Sequence, residues 1–344
     1  RIRYLKPSWM KPVPRRAGCC VPSGSRAHEQ PRPPGDRYPR IFPDRNPVDG
    51  GMTVKRTAAV LVNGEAADCV SSMDRGLLYG DGVFETLCVE QGAPVFWRRH
   101  MKRLLAGCER LAIDGIDVDM LCEEARTLAA GVDRGVLKII ITRGSGGRGY
   151  GTGNCDSATR ILQRYPAADY PAAYRQGGVN VRMCRIRLSH NPRLAGIKHL
   201  NRLEQVLARS EWNDPGIQEG LVLDLQDRLV EGTMSNVFLL KGGMLFTPDL
   251  SRCGVAGIMR SVVMELAERS GLPVQVATVR REDLTESGEV FLCNSLIGIW
   301  PVRCIDDRDY AVGPVTRQLQ SALAGLAEQD TAWLSDEIQV SMND

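Results

Sequence analysis

From position 54 onward, hydrophobic residues fall in short runs between polar and glycine-rich breaks, and the period of each run predicts its structure. AAVLVNG (58–64) reads as a strand ending in the turn pair Asn63-Gly64. GVFETLCVE (82–90) and APVFW (93–97) read as two strands joined by a hairpin at Gln91-Gly92. WRRHMKRLLAGCERLAI (97–113) places Leu104, Leu105, Cys108 and Leu111 at helical spacing, and DMLCEEARTLAAG (119–131) repeats the pattern with a glycine stop. GVLKIIITRG (135–144) is apolar enough to be a buried strand.

The pattern then breaks. Glycines crowd RGSGGRGYGTG (143–153), and QRYPAADYPAAY (163–174) has the Pro, Ala and Tyr content of an exposed connector. Beyond it come a strand at 178–187, a helix at 203–212 and four strands, EGLVLDL, RLVEG, NVFLLK and MLFTP. A helix at 257–271, strands near 274–279 and 289–293, and a final helix VTRQLQSALAGL complete the chain, with no internal repeat. The expected organisation is an α/β (α+β) protein with a smaller domain at 52–162, a connector at 163–174 and a larger domain at 175–344.

Composition changes this picture mainly at the amino end. Residues 1–51 hold 11 Lys/Arg against 4 Asp/Glu, a net +7, so the rest of the +3 chain is net −4. The same stretch holds 10 of the 19 prolines, which buries too little apolar surface to offset ordering entropy. It is expected to be a disordered extension, either sequence upstream of a start at Met52 or a basic tail that touches nucleic acid or lipid. It lacks the apolar middle of a secretory signal and makes a poor transit helix.

Apolar runs such as 136–142 and 237–240 are far shorter than the roughly 20 residues of a membrane helix, so a soluble protein with no membrane association is expected. The eleven cysteines are scattered singly apart from Cys19 and Cys20, with no CxxC, and the four histidines show no ligand spacing. Buried, reduced thiols in a cytoplasmic protein and no metal site are the expectation.

Lysine is scarce: residues 52–344 contain five, Lys55, Lys102, Lys138, Lys198 and Lys241. Lys55 is near the start of the folded part, Lys102 is on a basic helix face, Lys138 interrupts an apolar strand and Lys241 is in a hairpin turn. Lys198 differs. It sits in LAGIKHLNRLEQ (194–205) between apolar neighbours, just before an Asn201-x-x-Glu204 helix start. Desolvation there, with His199 and Arg202 nearby, would lower its pKa and free the neutral amine that a Schiff base requires. A surface lysine with a snorkelling side chain is the alternative.

The glycine cluster at 143–153 fits neither a GxxxxGK[ST] loop nor a dinucleotide loop. An RGG-like nucleic-acid segment is poorly matched to a net-acidic body. The helix start at Gly257-Ile258-Met259 is a better anion site, because helix N-termini present free amides and a favourable dipole.

The strings VLKIIITRGSGGRGY (136–150), NPRLAGIKHLNRLEQVLARS (191–210), GVAGIMR (254–260) and CNSLIGIWPV (293–302) carry a resemblance. The chain resembles the class IV (fold type IV) pyridoxal-phosphate enzymes over about 58–325, and within them the 4-amino-4-deoxychorismate lyases. That resemblance implies a two-domain fold with a barrel-like larger domain, pyridoxal 5′-phosphate between the domains, and a homodimer. It implies that Lys198 bonds the cofactor and is the catalytic base, that Glu231 pairs with the pyridine nitrogen, and that Arg103 grips the phosphate. The amides of Ile258 and Met259 would complete the phosphate cradle, with Asn294 and Ser295 as further polar contacts. Arg143 and Arg148 would bind the two carboxylates of aminodeoxychorismate. The implied reaction releases pyruvate and 4-aminobenzoate. An aminotransferase of the same fold, acting on branched-chain or D-amino acids, would use the same Lys198, Glu231 and Arg103. A non-catalytic nucleic-acid binder is the rival from another class.

Overall fold

The computed structural model describes residues 59–329; the extension 1–51 and the start at Met52 lie outside them. Six antiparallel strands form one sheet, in the order Glu65–Ala66, Ala59–Val62, Thr159–Pro166, Arg134–Thr142, Gly82–Glu90, Ala93–Pro94. One face is covered by the helices Trp97–Leu111 and Val118–Ala129. The first helix buries Trp97, His100, Met101, Leu104, Gly107 and Cys108, a stripe at three- and four-residue spacing. Strand Gly82–Glu90 meets it with Val83, Leu87 and Val89, which alternate as a half-covered strand must. Leu104 is 1% exposed, so truncating it to alanine would cost about 2–5 kcal/mol.

The second sheet has ten strands and runs Val274–Ala277, Met244–Pro248, Asn236–Lys241, Glu289–Asn294, Gly298–Ile305, Val179–Leu188, Glu219–Asp224, Arg228–Gly232, Val279–Arg280, with Arg308–Asp309 paired to Gly298–Ile305. It curls almost closed, because Arg228–Gly232 also lies beside Asn236–Lys241. Val179, Leu221, Leu229, Val237, Leu292 and Trp300 fill its interior. Phe238 and Phe291, their rings stacked 5.1 Å apart, pack toward the outer helices Ile258–Arg269 and Pro314–Gln329.

Two parallel pairs in this sheet position the chemistry. Val179–Leu188 runs parallel to Glu219–Asp224, and Met244–Pro248 runs parallel to Val274–Ala277. Parallel strands require long crossovers. The first crossover carries Lys198 and the helix Leu203–Arg209; the second carries the helix Ile258–Arg269. The two are tied together where Gly196 N donates to Gly254 O at 2.9 Å and Ala256 N donates to Gly196 O at 3.0 Å. Gly196 has φ +82, a left-handed conformation that favours glycine.

Some expectations are corrected. The strand expected at 93–97 is only Ala93–Pro94, because Phe96 turns left-handed (φ 58) and Trp97 opens the helix. The helix expected at 203–212 spans Leu203–Arg209, and no Asn201-Glu204 capping box forms. Asn201 instead donates Nδ2 to Gly80 O at 3.0 Å, and Glu204 accepts from Ser189 N at 2.9 Å. In 163–174, the first four residues belong to strand Thr159–Pro166 and the last three begin the helix Ala172–Gly177.

Candidate active site

Lys198 is delivered by backbone pairing between the first crossover and the six-stranded sheet. Phe84 N donates to Lys198 O and Leu200 N donates to Gly82 O, both at 2.9 Å. The Lys198 side chain then lies over the Phe84 ring, with Nζ 4.5 Å from its centroid. Burial, reinforced by Arg103, lowers its pKa to about 8 despite opposition from Glu85 and Glu231. The other lysine at this ring is Lys138, 5.3 Å from the same centroid, with its pKa lowered by burial.

Next to Phe84, Glu85 points to the opposite, helix-covered face and is buried. Its Oε1 accepts from Arg103 Nε at 2.7 Å and its Oε2 from Arg103 Nη2 at 2.5 Å, a bidentate pair. His100 Nδ1 lies 2.6 Å from the same Oε2, and His100 Nε2 lies 3.3 Å from Ser295 Oγ. Burial pushes the Glu85 carboxyl up, but Arg103 and His100 outweigh it and hold it at about 2.

Arg103 also donates Nη1 to Ala256 O at 2.9 Å, which places it at the start of helix Ile258–Arg269. That helix begins at Gly257 with no side chain capping it, so the first amides, including those of Ile258 and Met259, keep their donors free. A Cβ at Gly257 would stand 1.9 Å from Asn236 Oδ1, so a larger residue there would have to displace the Asn236 side chain, which donates to Val255 O.

On the other side of the crossover junction, Glu231 is buried, with Oε2 accepting from Val255 N at 2.8 Å and Oε1 facing Gln205 Nε2 at 3.4 Å. Burial raises its pKa, opposed by the Val255 amide and by Arg202 and Lys198. Gln205 Oε1 and His199 Nδ1 are buried without hydrogen-bond partners.

The structure therefore gathers Lys198, Arg103, Glu231, Ile258, Met259 and Ser295 around the two crossovers. Asn294 has a shaping role: its Oδ1 accepts from Leu296 N and Ile297 N, and its Nδ2 donates to Met234 O. Arg143 is engaged internally. It grips Asp81 through Nε (2.8 Å) and Nη2 (3.0 Å) and donates to the carbonyls of Leu111 and Ala112. Arg75 takes the same Asp81 and donates to the carbonyls of Gly149, Tyr150 and Gly151, which pins the glycine-rich loop. Arg148 on that loop is exposed, with no hydrogen bond or ion pair among the described residues.

Glu85 and His100 were not singled out from the sequence, although both interrupt otherwise apolar faces: Glu85 between Val83 and Leu87, His100 between Trp97 and Leu104. Gln205 gives no comparable signal, whereas Arg202, expected from its place beside Lys198 to lower that lysine's pKa, does so. Among the described residues one trio has metal-ligand proximity, His190, Asp224 and Cys253. Asp224 already pairs with Arg228 at 2.6 Å, and that guanidinium lies 3.3 Å from His190 Nε2, where a second cation would be repelled.

The amino-transferase class IV family matches residues 82–305. The aminodeoxychorismate lyase of Vibrio harveyi is 36% identical over 266 residues, 76% of this chain and 98% of that protein. The branched-chain-amino-acid aminotransferase of Escherichia coli K12 is 30% identical over 298 residues, 81% of this chain and 96% of that protein. The crystal structure of 4-amino-4-deoxychorismate lyase from Pseudomonas aeruginosa superposes with a TM-score of 0.75 at 49% identity, covering 77% of this chain and 98% of that one.

Proposed function

The chain belongs to the class IV aminotransferase family, and from that premise we propose that it is a pyridoxal-phosphate-dependent lyase that splits 4-amino-4-deoxychorismate into 4-aminobenzoate and pyruvate. The observation that carries the choice within the family is similarity along nearly the full length of two lyases, at 36% and 49% identity, against 30% for the aminotransferase. The product would feed folate biosynthesis.

The residues present fit the cofactor. Lys198 is a desolvated amine with its pKa near 8, the uncapped helix start at Gly257 suits a phosphate, and Glu231 is a buried carboxyl that would pair with a protonated ring nitrogen. Arg103, Ser295 and the amides of Ile258 and Met259 would hold the phosphate. When bound, pyridoxal phosphate supplies an electron sink for charge left on the substrate carbon that bears the amine. Neutral Lys198 then takes the proton from that carbon and can pass it to the departing enolpyruvyl oxygen. The ring becomes aromatic as the oxygen leaves, which drives the step forward. Proton loss and oxygen departure balance without any oxidant, reductant or second substrate.

Lys138, beside the same Phe84 ring as Lys198, and Arg148, exposed on the glycine-rich loop, would receive the substrate carboxylates. Arg143 would act indirectly by fixing the loop with Asp81. Leu77, Leu78, Leu203 and Val206 form exposed apolar surface on two helices joined by the Asn201 to Gly80 hydrogen bond, which supports a homodimer. Free, buried thiols such as Cys108, Cys184 and Cys293 support residence in the reducing cytoplasm. Among the described residues, no helix is long and apolar enough to cross a membrane.

The test is pyruvate release from aminodeoxychorismate with no keto acid added. Stoichiometric pyruvate and 4-aminobenzoate support the lyase; strict dependence on a keto-acid acceptor would establish the aminotransferase instead.

A further inference from the structure

Glu85, His100 and Ser295 form a carboxylate, imidazole and hydroxyl chain whose hydrogens can be placed. Glu85 is ionised and can only accept, so the hydrogen between it and His100 belongs to Nδ1. With the ring neutral, Nε2 carries a lone pair, and the single Ser295 hydrogen points to it across 3.3 Å. Burial holds His100 below its ordinary pKa; Glu85 opposes this, while the Arg103 and Lys198 charges add to it. These are the charged groups that face the ring: Glu85 from the strand, Arg103 from its own helix, Lys198 from the crossover. Ser295 closes the far side.

A phosphate ester dianion has no hydrogen to give. For Ser295 to bind it, the hydroxyl must turn its one hydrogen away from His100 and toward the phosphate. Oγ lone pairs would then face the Nε2 lone pair at 3.3 Å, which is repulsive. A proton on Nε2 converts that clash into a hydrogen bond, and the new dianion compensates the imidazolium charge.

We infer that His100 is a positioning residue that takes up a proton when a phosphate ester binds beside Ser295 and Arg103, with Glu85 fixing the ring that receives it. The inference rests on the reading of Ser295 and Arg103 as the phosphate cradle. It makes the cradle self-adjusting: one proton changes Ser295 from a donor to His100 into a donor to phosphate, while the bidentate Glu85 pair keeps Arg103 aimed at Ala256 and the helix start. The sign follows from linkage. His100 has a higher pKa with phosphate bound than without it, so phosphate affinity is greatest at low pH and falls as pH rises through the bound-state value.

The test uses 4-deoxypyridoxine 5′-phosphate, which has no aldehyde and cannot bond to Lys198, with 4-deoxypyridoxine as the phosphate-free control. Both are titrated calorimetrically into the apoprotein at pH 8, in buffers of different ionisation enthalpy, where the free ester is a dianion. The ester should take up about one proton more per site than the control. His100→Gln should abolish that difference and weaken the ester about 10-fold while leaving the control unchanged. Histidine nitrogen-15 spectra of the wild-type protein give a second readout that needs no variant: His100 should pass from the Nδ1-protonated neutral form to the imidazolium when the ester is added. No excess uptake in the wild type, or the same excess in His100→Gln, overturns the inference; the latter means that the phosphate carries its own proton. If the ester binds no better than the control, the phosphate-cradle reading falls as well.

Discussion

Lys198 and Glu85 lie on opposite sides of one short piece of strand: Lys198 Nζ rests over the Phe84 ring at 4.5 Å, and the very next residue, Glu85, turns its carboxylate inward to clamp Arg103. The strand thus separates an amine that must lose its proton from a carboxylate that must keep its charge. Burial dominates for Lys198 and lowers its pKa to about 8, whereas two donors overcome burial at Glu85. At pH 7 a lysine of pKa 8 is about one tenth neutral, against well below a thousandth for an ordinary one. Reductive methylation of the apoprotein should therefore label Lys198 ahead of the exposed Lys102, with a rate that climbs through pH 8. Equal labelling of the two would show that the site does not activate its amine. Lys198→Ala should lose at least about a thousandfold in turnover and the borohydride-reducible absorbance together.

Glu231 predicts a different phenotype. On the proposed reading its buried carboxyl, fixed by the Val255 amide, would pair with a protonated ring nitrogen, so Glu231→Gln would remove electronic support and leave the phosphate grip intact. Turnover should fall about 100-fold or more while the protein still takes up cofactor. Turnover within a few fold of wild type would assign that carboxyl a packing role.

Much of this was legible in the sequence, for particular reasons. Lys198 stood out because few lysines compete with it, and the helix at Ile258 because an apolar period begins right after Gly257. Most strands of both sheets were legible as short apolar runs, but Thr159–Pro166 and Gly298–Ile305 were not, because Arg160, Gln163 and Arg164 break up the first run and Pro301 and Arg303 the second. What stayed hidden was long-range partnership. Asn201 and Glu204 have capping-box spacing, yet Asn201 finds Gly80 and Glu204 finds Ser189, because other segments of the chain meet this helix at its amino end. Arg143 reads like a substrate clamp until Asp81, sixty-two positions earlier, claims its guanidinium. Pairings at that separation leave no local period.

The two loop arginines should accordingly separate in kinetics. Arg148→Ala removes an exposed cation with no hydrogen bond or ion pair among the described residues and should raise KM about 10-fold with little change in Tm. Arg143→Ala takes from Asp81 one of the two guanidinium groups that hold it below its ordinary pKa against burial, leaving Arg75 alone, and frees the Leu111 and Ala112 carbonyls. It should cost stability, about 1–3 kcal/mol, as well as activity. Thermal melts beside steady-state kinetics distinguish the cases; a KM effect from Arg143→Ala without loss of Tm would return it to the substrate.

Acid should unfold the protein partly through Glu85. Its folded value of about 2 lies below the ordinary 4.5, so its contribution is complete above pH 4.5 and is lost as pH falls toward 2. At about 1.4 kcal/mol per pKa unit the loss is roughly 3 kcal/mol. Urea melts at pH 7 and pH 3.5 should show a smaller decline for Glu85→Gln than for wild type; parallel declines would place the acid sensitivity elsewhere.

The assembly prediction rests on exposed leucines that a monomer would have no reason to keep. Leu77 is 66% exposed, Leu203 69% and Val206 56%, and the Asn201 to Gly80 hydrogen bond brings the two short helices carrying them together. Leu203 and Val206 lie three positions apart and share one helix face. Carboxylates placed there would face each other across a two-fold interface, since each residue of such an interface recurs on the partner. Leu203→Glu with Val206→Glu should halve the sedimentation mass while preserving the melting transition of the isolated fold. The crossover that carries Lys198 leads directly into this helix, so the monomer should also bind cofactor less tightly. An unchanged mass in the double variant, or a wild-type protein that is already monomeric at micromolar concentration, would rule out this face as the contact.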